Sequence, residues 1–284
     1  MQYDAFKITV IKNLKEYLPE EYRSWKIKTE QVNQVNRTRE ILQLQPESRP
    51  SAVPILYLDD LYLRYMRGME IERVLEEAAA HFLAGADYLK KHGSRLSADN
   101  PDGRIIYTLI NTEKNRHMLE GLPHREIMDL SVIYRFAAED SEGGINSFVI
   151  TDRIAEEFQL TEEELYLEAE KNTPEFMPVS IIRAEPMGCI ICNKKGILGA
   201  AAMLYEGVLS KIALLMESDL YILPSSVHEV IAVPAEKSRI EDLKKAVMSV
   251  NRSVVKPCDF LSDQVYFFDR QDSQLKPAVN ERLS

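Results

Sequence analysis

The chain has 284 residues, 45% of them apolar, with 11 Gly and 13 Pro, which permits a substantial core and excludes a disordered or collagen-like chain. Its formal net charge of −10 argues against a non-specific nucleic-acid binder, which neutralises phosphates with clustered Lys and Arg. Three cysteines do not make a disulfide framework, and the start from Met1 to Lys7 lacks the charged-then-apolar pattern of a secretory signal.

The longest nearly apolar run, Ile197 to Tyr205, falls well short of the ~20 residues that span a bilayer. A cytoplasmic protein with no membrane attachment is expected.

In chain order, Tyr3 to Leu18 places Phe6, Val10, Leu14 and Tyr17 at helical spacing, and Pro19 stops the run. Trp25 to Val32 and Thr38 to Leu44 alternate with the period of strands about a turn at Asn33 to Asn36. This predicts a hairpin, polar enough on its faces to lie near a sheet edge. A loop from Pro46 to Ser51 leads to an apolar run, Val53 to Leu58, and then to a short helix ending at Arg67. Ile71, Val74, Leu75, Ala78, Phe82, Leu83, Ala86 and Leu89 form one stripe of a long helix, which Gly93 closes.

The polar stretch Leu96 to Gly103 reads as a module boundary. Arg104 to Ile110 reads as a strand and Asn111 to Leu119 as a short helix, ended by Gly121 and Pro123. Leu130, Val132, Tyr134 and Phe136 share a strand face, and Asp140 to Gly144 turns that strand back into Ile145 to Thr151. Thr161 and Glu164 have capping-box spacing ahead of a helix expected to end by Pro174.

Ile181 to Asn193 holds two apolar pieces split at Glu185-Pro186, followed by a turn at Asn193 to Gly196. Leu198 to Met216 is apolar on most of its circumference, which predicts the most buried helix of the chain. Leu220 to Leu223 and Val230 to Val233 form a hairpin around Pro224-Ser-Ser. Arg239 to Val250 is an amphipathic helix, and Gln264 to Asp269 is a closing strand with a polar tail.

Strands joined by hairpins with helices interspersed define an α+β class with antiparallel sheets. The order helix, hairpin, helix recurs three times without residue-level similarity, which raises a repeated α-β-β-α unit as a hypothesis. The modules expected are residues 1–95, 104–178 and 179–272, with a polar tail at 273–284.

Several residues could carry chemistry. Ser225, Ser226, His228 and Glu229 cluster in the last hairpin, and His228 could act as a base with Ser226, Glu229 or a distant Asp263. Neighbours in a strand point to opposite faces, however, and no Gly-x-Ser-x-Gly elbow exists. Cys189-x-x-Cys192 has redox spacing but encloses two isoleucines in a strand-like run, so buried cysteines are the simpler reading. Asn111, Glu113, His117 and His124 cluster at a strand-to-helix passage that could line a binding cleft, although capping by Asn111 also explains it.

The acidic run from Glu156 to Glu170 reads as a solvated helix start rather than a cation site. Phosphate-loop and dinucleotide glycine patterns are missing, so no cofactor is expected, and the cysteine spacings fit no standard metal finger.

The stretches Pro123 to Leu130, Glu163 to Tyr166, Lys171 to Pro174, Asp219 to Glu229 and Leu261 to Tyr266 together resemble a domain-of-unknown-function family of anaerobic gut Firmicutes. The resemblance extends from the N-terminal helix to about Asp269 and implies a bacterial cytoplasmic protein, with no activity attached. A second Firmicutes family is distantly similar. The expected function is a non-catalytic module that binds another protein in a regulatory or accessory role. A homo-oligomer is compatible with this, and a hydrolase built on His228 is the alternative.

Overall fold

The computed structural model describes residues 1–46, 53–92, 103–139, 145–184 and 188–279. The loop beyond Pro46, the stop at Gly93, the boundary ahead of Gly103, the turn at Asp140 to Gly144 and the Glu185-Pro186 break lie outside the described residues. The chain divides into two compact units, Met1–Gln34 with Thr38–Asn100, and Val35–Arg37 with Pro101–Ser284.

The first unit starts with α1, Tyr3–Asn13, which tightens into a 3₁₀ turn, Leu14–Tyr17, before Pro19. The expected stripe buries Phe6, Val10 and Leu14. After the short α2, Glu20–Arg23, come β1, Lys26–Gln34, and β2, Arg37–Gln45. β2 is not a peripheral strand: it lies between β1 and β3, Ile55–Tyr57, and buries Ile41, Leu42 and Leu44. Polar residues on β1 hid this, because β1 takes the outer position. Two helices, α3 Leu58–Met66 and α4 Ile71–His92, complete the core, to which α4 gives Val74, Leu75, Ala78 and Phe82. Tyr22 packs edge-on against both Trp25 and Phe82, at 5.0 and 5.3 Å between ring centroids.

The second unit uses one topological device twice. β4, Arg104–Asn111, leads through a 3₁₀ turn, Glu113–Asn115, and α5, Arg116–Leu119, into β5, His124–Ile127. β5 turns directly into β6, Leu130–Glu139, which inserts between β4 and β5. Downstream, β8, Val179–Ala184, pairs with β9, Gly188–Asn193. β9 leads through a 3₁₀ helix, Gly199–Leu204, and α8, Val208–Met216, into β10, Leu220–Ser226. β10 turns into β11, Glu229–Pro234, which inserts between β9 and β10. Both are split β-α-β units, in which two parallel strands flank one antiparallel strand.

The hairpin read from sequence forms: β7, Ile145–Val149, pairs antiparallel with the far half of β6, on the edge that β5 leaves open. The β5–β6 hairpin that precedes it was not foreseen. α6, Asp152–Phe158, follows and was not foreseen, because its residues read as part of an acidic run. The capping box forms as expected at α7, Glu162–Phe176: Thr161 Oγ1 accepts from the Glu164 N–H, and the Glu164 carboxylate accepts from the Thr161 N–H.

α7 runs past Pro174, where it was expected to stop. Buried Thr173 and Met177 hold its last turn, and the Met177 N–H still reaches the Thr173 carbonyl at 2.8 Å. The Thr173 hydroxyl also accepts from the Tyr107 N–H at 3.0 Å, so the outer edge of β4 is closed by a helix.

The long buried helix expected from Leu198 to Met216 is broken. Gly207, at φ +72°, separates the 3₁₀ helix from α8. The 3₁₀ piece is buried almost throughout, whereas α8 buries one face, Val208, Leu209, Ile212 and Ala213, and leaves Leu214 and Leu215 76% and 75% exposed. Uniformly apolar sequence carries no periodicity, so it could not show which face turns outward. α9, Ile240–Ser253, β12, Tyr266–Asp269, and β13, Gln274–Pro277, complete the chain, with β13 inside the stretch read as a polar tail. The last sheet runs β13-β12-β10-β11-β9-β8. No helix among the described residues is long and apolar enough to cross a membrane.

Thr173→Val keeps the shape of the side chain but leaves the buried Tyr107 N–H without an acceptor. It should cost about 1–3 kcal/mol, read as a lower urea midpoint at an unchanged slope.

Candidate functional site

His228 sits at the tip of the β10–β11 hairpin, at a register shift between Pro224 and Ser226. Its Nδ1 accepts the Leu198 N–H at 3.1 Å, so the ring proton belongs on Nε2, which lies 3.4 Å from Asp259 Oδ1. Asp259 Oδ1 is also 3.4 Å from the Cys258 thiol. The backbone reinforces the same junction: the Val227 N–H donates to the Asp259 carbonyl at 2.8 Å, and the Ala200 N–H donates to the Val227 carbonyl at 3.3 Å. Gly199 makes the approach possible, because a Cβ there would lie 2.5 Å from the His228 carbonyl oxygen and 2.7 Å from the Asn193 nitrogen.

The other members of the proposed catalytic set do not meet this imidazole. The Ser226 hydroxyl accepts from the backbone N–H of His228 at 3.1 Å, and the Ser225 hydroxyl faces Glu229 at 3.4 Å. Asp263 accepts from the Asn251 side chain at 2.8 Å. Chemically, the arrangement pins a hairpin tip to a 3₁₀ helix and to the turn Pro257–Asp259.

The second candidate group does not converge either. Asn111 Oδ1 accepts the Lys114 N–H at 3.0 Å, the capping role, and its carbonyl accepts from Asn115 at 2.7 Å. Glu113 is exposed and pairs with Arg116, and His117 is exposed. His124 donates from Nδ1 to the Leu122 carbonyl at 2.8 Å. Asn111 pairs with Leu130 on one side of β6 and His124 with Ile133 on the other, so an entire strand separates them. Cys189 and Cys192 are buried on opposite faces of β9, and burial pushes the Cys189 thiol up.

Two polar clusters went unseen in the sequence. At the β5–β6 turn, Asp129 accepts the Ser262 hydroxyl at 2.6 Å and the Tyr266 hydroxyl at 2.7 Å. Burial and the Asp129 carboxylate both raise the pKa of the Tyr266 phenol, which stays a donor. Residues 35–37 group with this unit, and Asn36 donates to the Cys258 and Phe260 carbonyls at 3.1 and 2.7 Å.

At the start of α7, Arg125 binds Glu162 through two nitrogens at 3.2 and 2.9 Å and reaches Glu163 at 2.6 Å. The guanidinium lies over the Tyr166 ring at 3.9 Å, and Tyr134 donates to Glu162. Partial burial would raise the Glu162 pKa, but the hydrogen bonds from Arg125 and Tyr134 outweigh it and hold the carboxyl below its usual range.

The first unit has an open groove of about 380 Å³ lined by Tyr57, Asp60, Arg64, Glu77 and His81 among others. Its acids are already neutralised, Glu77 by Arg64 at 2.6 Å and Asp60 by Arg39 at 2.7 Å. Among the described residues, no group of three or more His, Cys, Asp or Glu side chains is placed to hold a metal ion.

Gly199→Ala should cost about 1–3 kcal/mol or prevent folding, because the new methyl meets fixed backbone rather than a side chain; urea unfolding measures it. Glu162 contributes stability that is complete above its ordinary pKa of 4.5 and is lost as pH falls through its lower folded value. Unfolding midpoints measured between about pH 2 and 6 should therefore fall less steeply for Glu162→Gln than for the native chain.

No curated protein and no solved structure matches the chain. Residues 3–187 and 182–270 match one family description, so the chain belongs to the family of unknown function DUF5688.

Proposed function

We propose that this protein is a non-catalytic regulatory or accessory module of the bacterial cytoplasm that binds another protein, and that the partner adds an extended segment to β8. The observation that carries this reading is the asymmetry of the six-stranded sheet. At one end, β13 carries Lys276 and Pro277, residues that blunt a sheet edge. At the other end, β8 presents Ile181 and Ile182, 42% and 51% exposed on alternate faces, with one charged residue, Arg183, after them and no proline within the strand.

A sheet edge offers a row of backbone donors and acceptors, and flanking apolar side chains supply the rest of the affinity in strand addition. The edge of β4, by contrast, is covered by Thr173 and α7. Against the hydrolase reading stands the engagement of both His228 nitrogens, which leaves no lone pair to take a proton from a serine.

Affinity purification from native lysate, with light scattering on the isolated protein, tests the proposal. Ile182→Lys should lower recovery of a stoichiometric partner about tenfold or more while the circular dichroism spectrum is kept. His228→Asn, which retains an acceptor for the Leu198 N–H, should leave recovery unchanged. Equal recovery on all three proteins would overturn the proposal, as would a homodimer that Ile182→Lys dissolves, since the edge would then serve a second copy.

A further inference from the structure

The imidazole of His228 joins two anchors that answer differently to a proton. Its Nδ1 accepts the Leu198 N–H at 3.1 Å, and its Nε2 lies 3.4 Å from Asp259 Oδ1. The side chain is 38% exposed, so protons reach it from solvent. An imidazolium carries an N–H on both ring nitrogens and has no acceptor, whichever way the ring is turned. A second proton therefore removes the Leu198 bond and sets a full positive charge beside Asp259.

Leu198 is a position where that loss has a consequence. It has φ +53°, a left-handed conformation that a leucine keeps only while its surroundings enforce it. It is the N-cap of the 3₁₀ helix Gly199–Leu204 and packs against Ile106, Ala137 and Met177. The turn before it has a separate lock. Asn193 Oδ1 accepts from the Lys195 and Gly196 N–H groups at 3.0 and 2.9 Å, and its Nδ2 donates to the Ile197 carbonyl at 2.7 Å. At the hairpin tip, the Val227 N–H to the Asp259 carbonyl and the Ala200 N–H to the Val227 carbonyl are bonds between backbone groups, which do not titrate.

The elements around the ring supply no competing charge. The 3₁₀ helix has no titratable side chain, and Cys189 and Cys192 of β9 are buried. Lys194 is exposed, and Lys195 pairs with Glu139. Glu229 of the hairpin faces the Ser225 hydroxyl. Beside Asp259, Lys256 is exposed and the Cys258 thiol lies against the Asp259 carboxylate. Among the described residues, Asp259 is thus the one charged partner of His228.

We infer that His228 is a proton-operated latch. Neutral, it fastens Leu198 at the head of the 3₁₀ helix; protonated, it lets Leu198 leave the left-handed conformation while the hairpin tip stays clamped to the Pro257–Asp259 turn. The latch does not depend on a partner at β8.

The test follows amide hydrogen exchange of the full chain, corrected for the intrinsic pH dependence of exchange, together with the ring-nitrogen resonances of His228. Both are read from about pH 8 to about pH 5, the interval in which histidines change charge. As the ring titrates, protection of the Leu198 N–H should fall about tenfold or more, while the Val227 N–H, which donates to a backbone carbonyl, keeps its protection. His228→Asn offers an acceptor to Leu198 but takes no proton, so protection of Leu198 should stay constant across the interval.

Unchanged protection of Leu198 in the native chain while the ring titrates would overturn the inference, as would a ring that does not titrate in this interval. An equal loss at Val227 would overturn it by showing that the whole tip opens, and so would a fall in His228→Asn equal to the native one. The native-chain readings decide the matter even where the variant fails to fold.

Discussion

The second unit depends on one carboxylate. Asp129 occupies the β5–β6 turn and accepts two hydroxyl hydrogen bonds from the segment that follows the last helix, one of them from fully buried Tyr266. Asp129 is half-buried, and the fully buried Ser262 and Tyr266 hydroxyls would be costly to bury without the acceptors that it provides. The β10–β11 tip grips the same segment through Asp259. Residues 257–266 thus serve as a shared clasp, and the strand that follows them, β12, extends the sheet from β10. Two similar split units are in this way fastened at their tips by chain that belongs to neither.

The sequence was most informative where burial is one-sided. The stripe of α4, the alternation of β6 and the capping box of α7 each state a period or a hydrogen-bond pairing that local chemistry enforces. It was least informative where tertiary contacts decide. β5, with His124, Arg125 and Glu126, shows no apolar alternation and is a strand because β6 offers it an edge. β2 looked peripheral because its neighbour β1 is polar, and α7 outlasts Pro174 because Met177 is anchored in a core that local sequence cannot display.

The candidate sites divide along the same line. Capping by Asn111 could be read directly, since asparagine at a strand-to-helix passage has few other uses. The role of His228 could not, because its partners, Leu198 and Asp259, lie about thirty residues away in either direction. Asp129 gave no signal at all, because a lone polar residue in a turn has no pattern, and Glu162 showed only as one member of an acidic run at a helix start; contacts with distant segments reveal what each meets.

A sheet that is open at one border and closed at the other is polar in the sense that matters for growth. A chain that could recruit neighbours at both β8 and β13 would stack head to tail into filaments, the usual fate of flat exposed strands. On the proposed reading, Lys276 and Pro277 on the far border would end an association through β8 after a single event, so that a partner strand laid against Ile181 and Ile182 would close a pair of chains rather than extend a fibre.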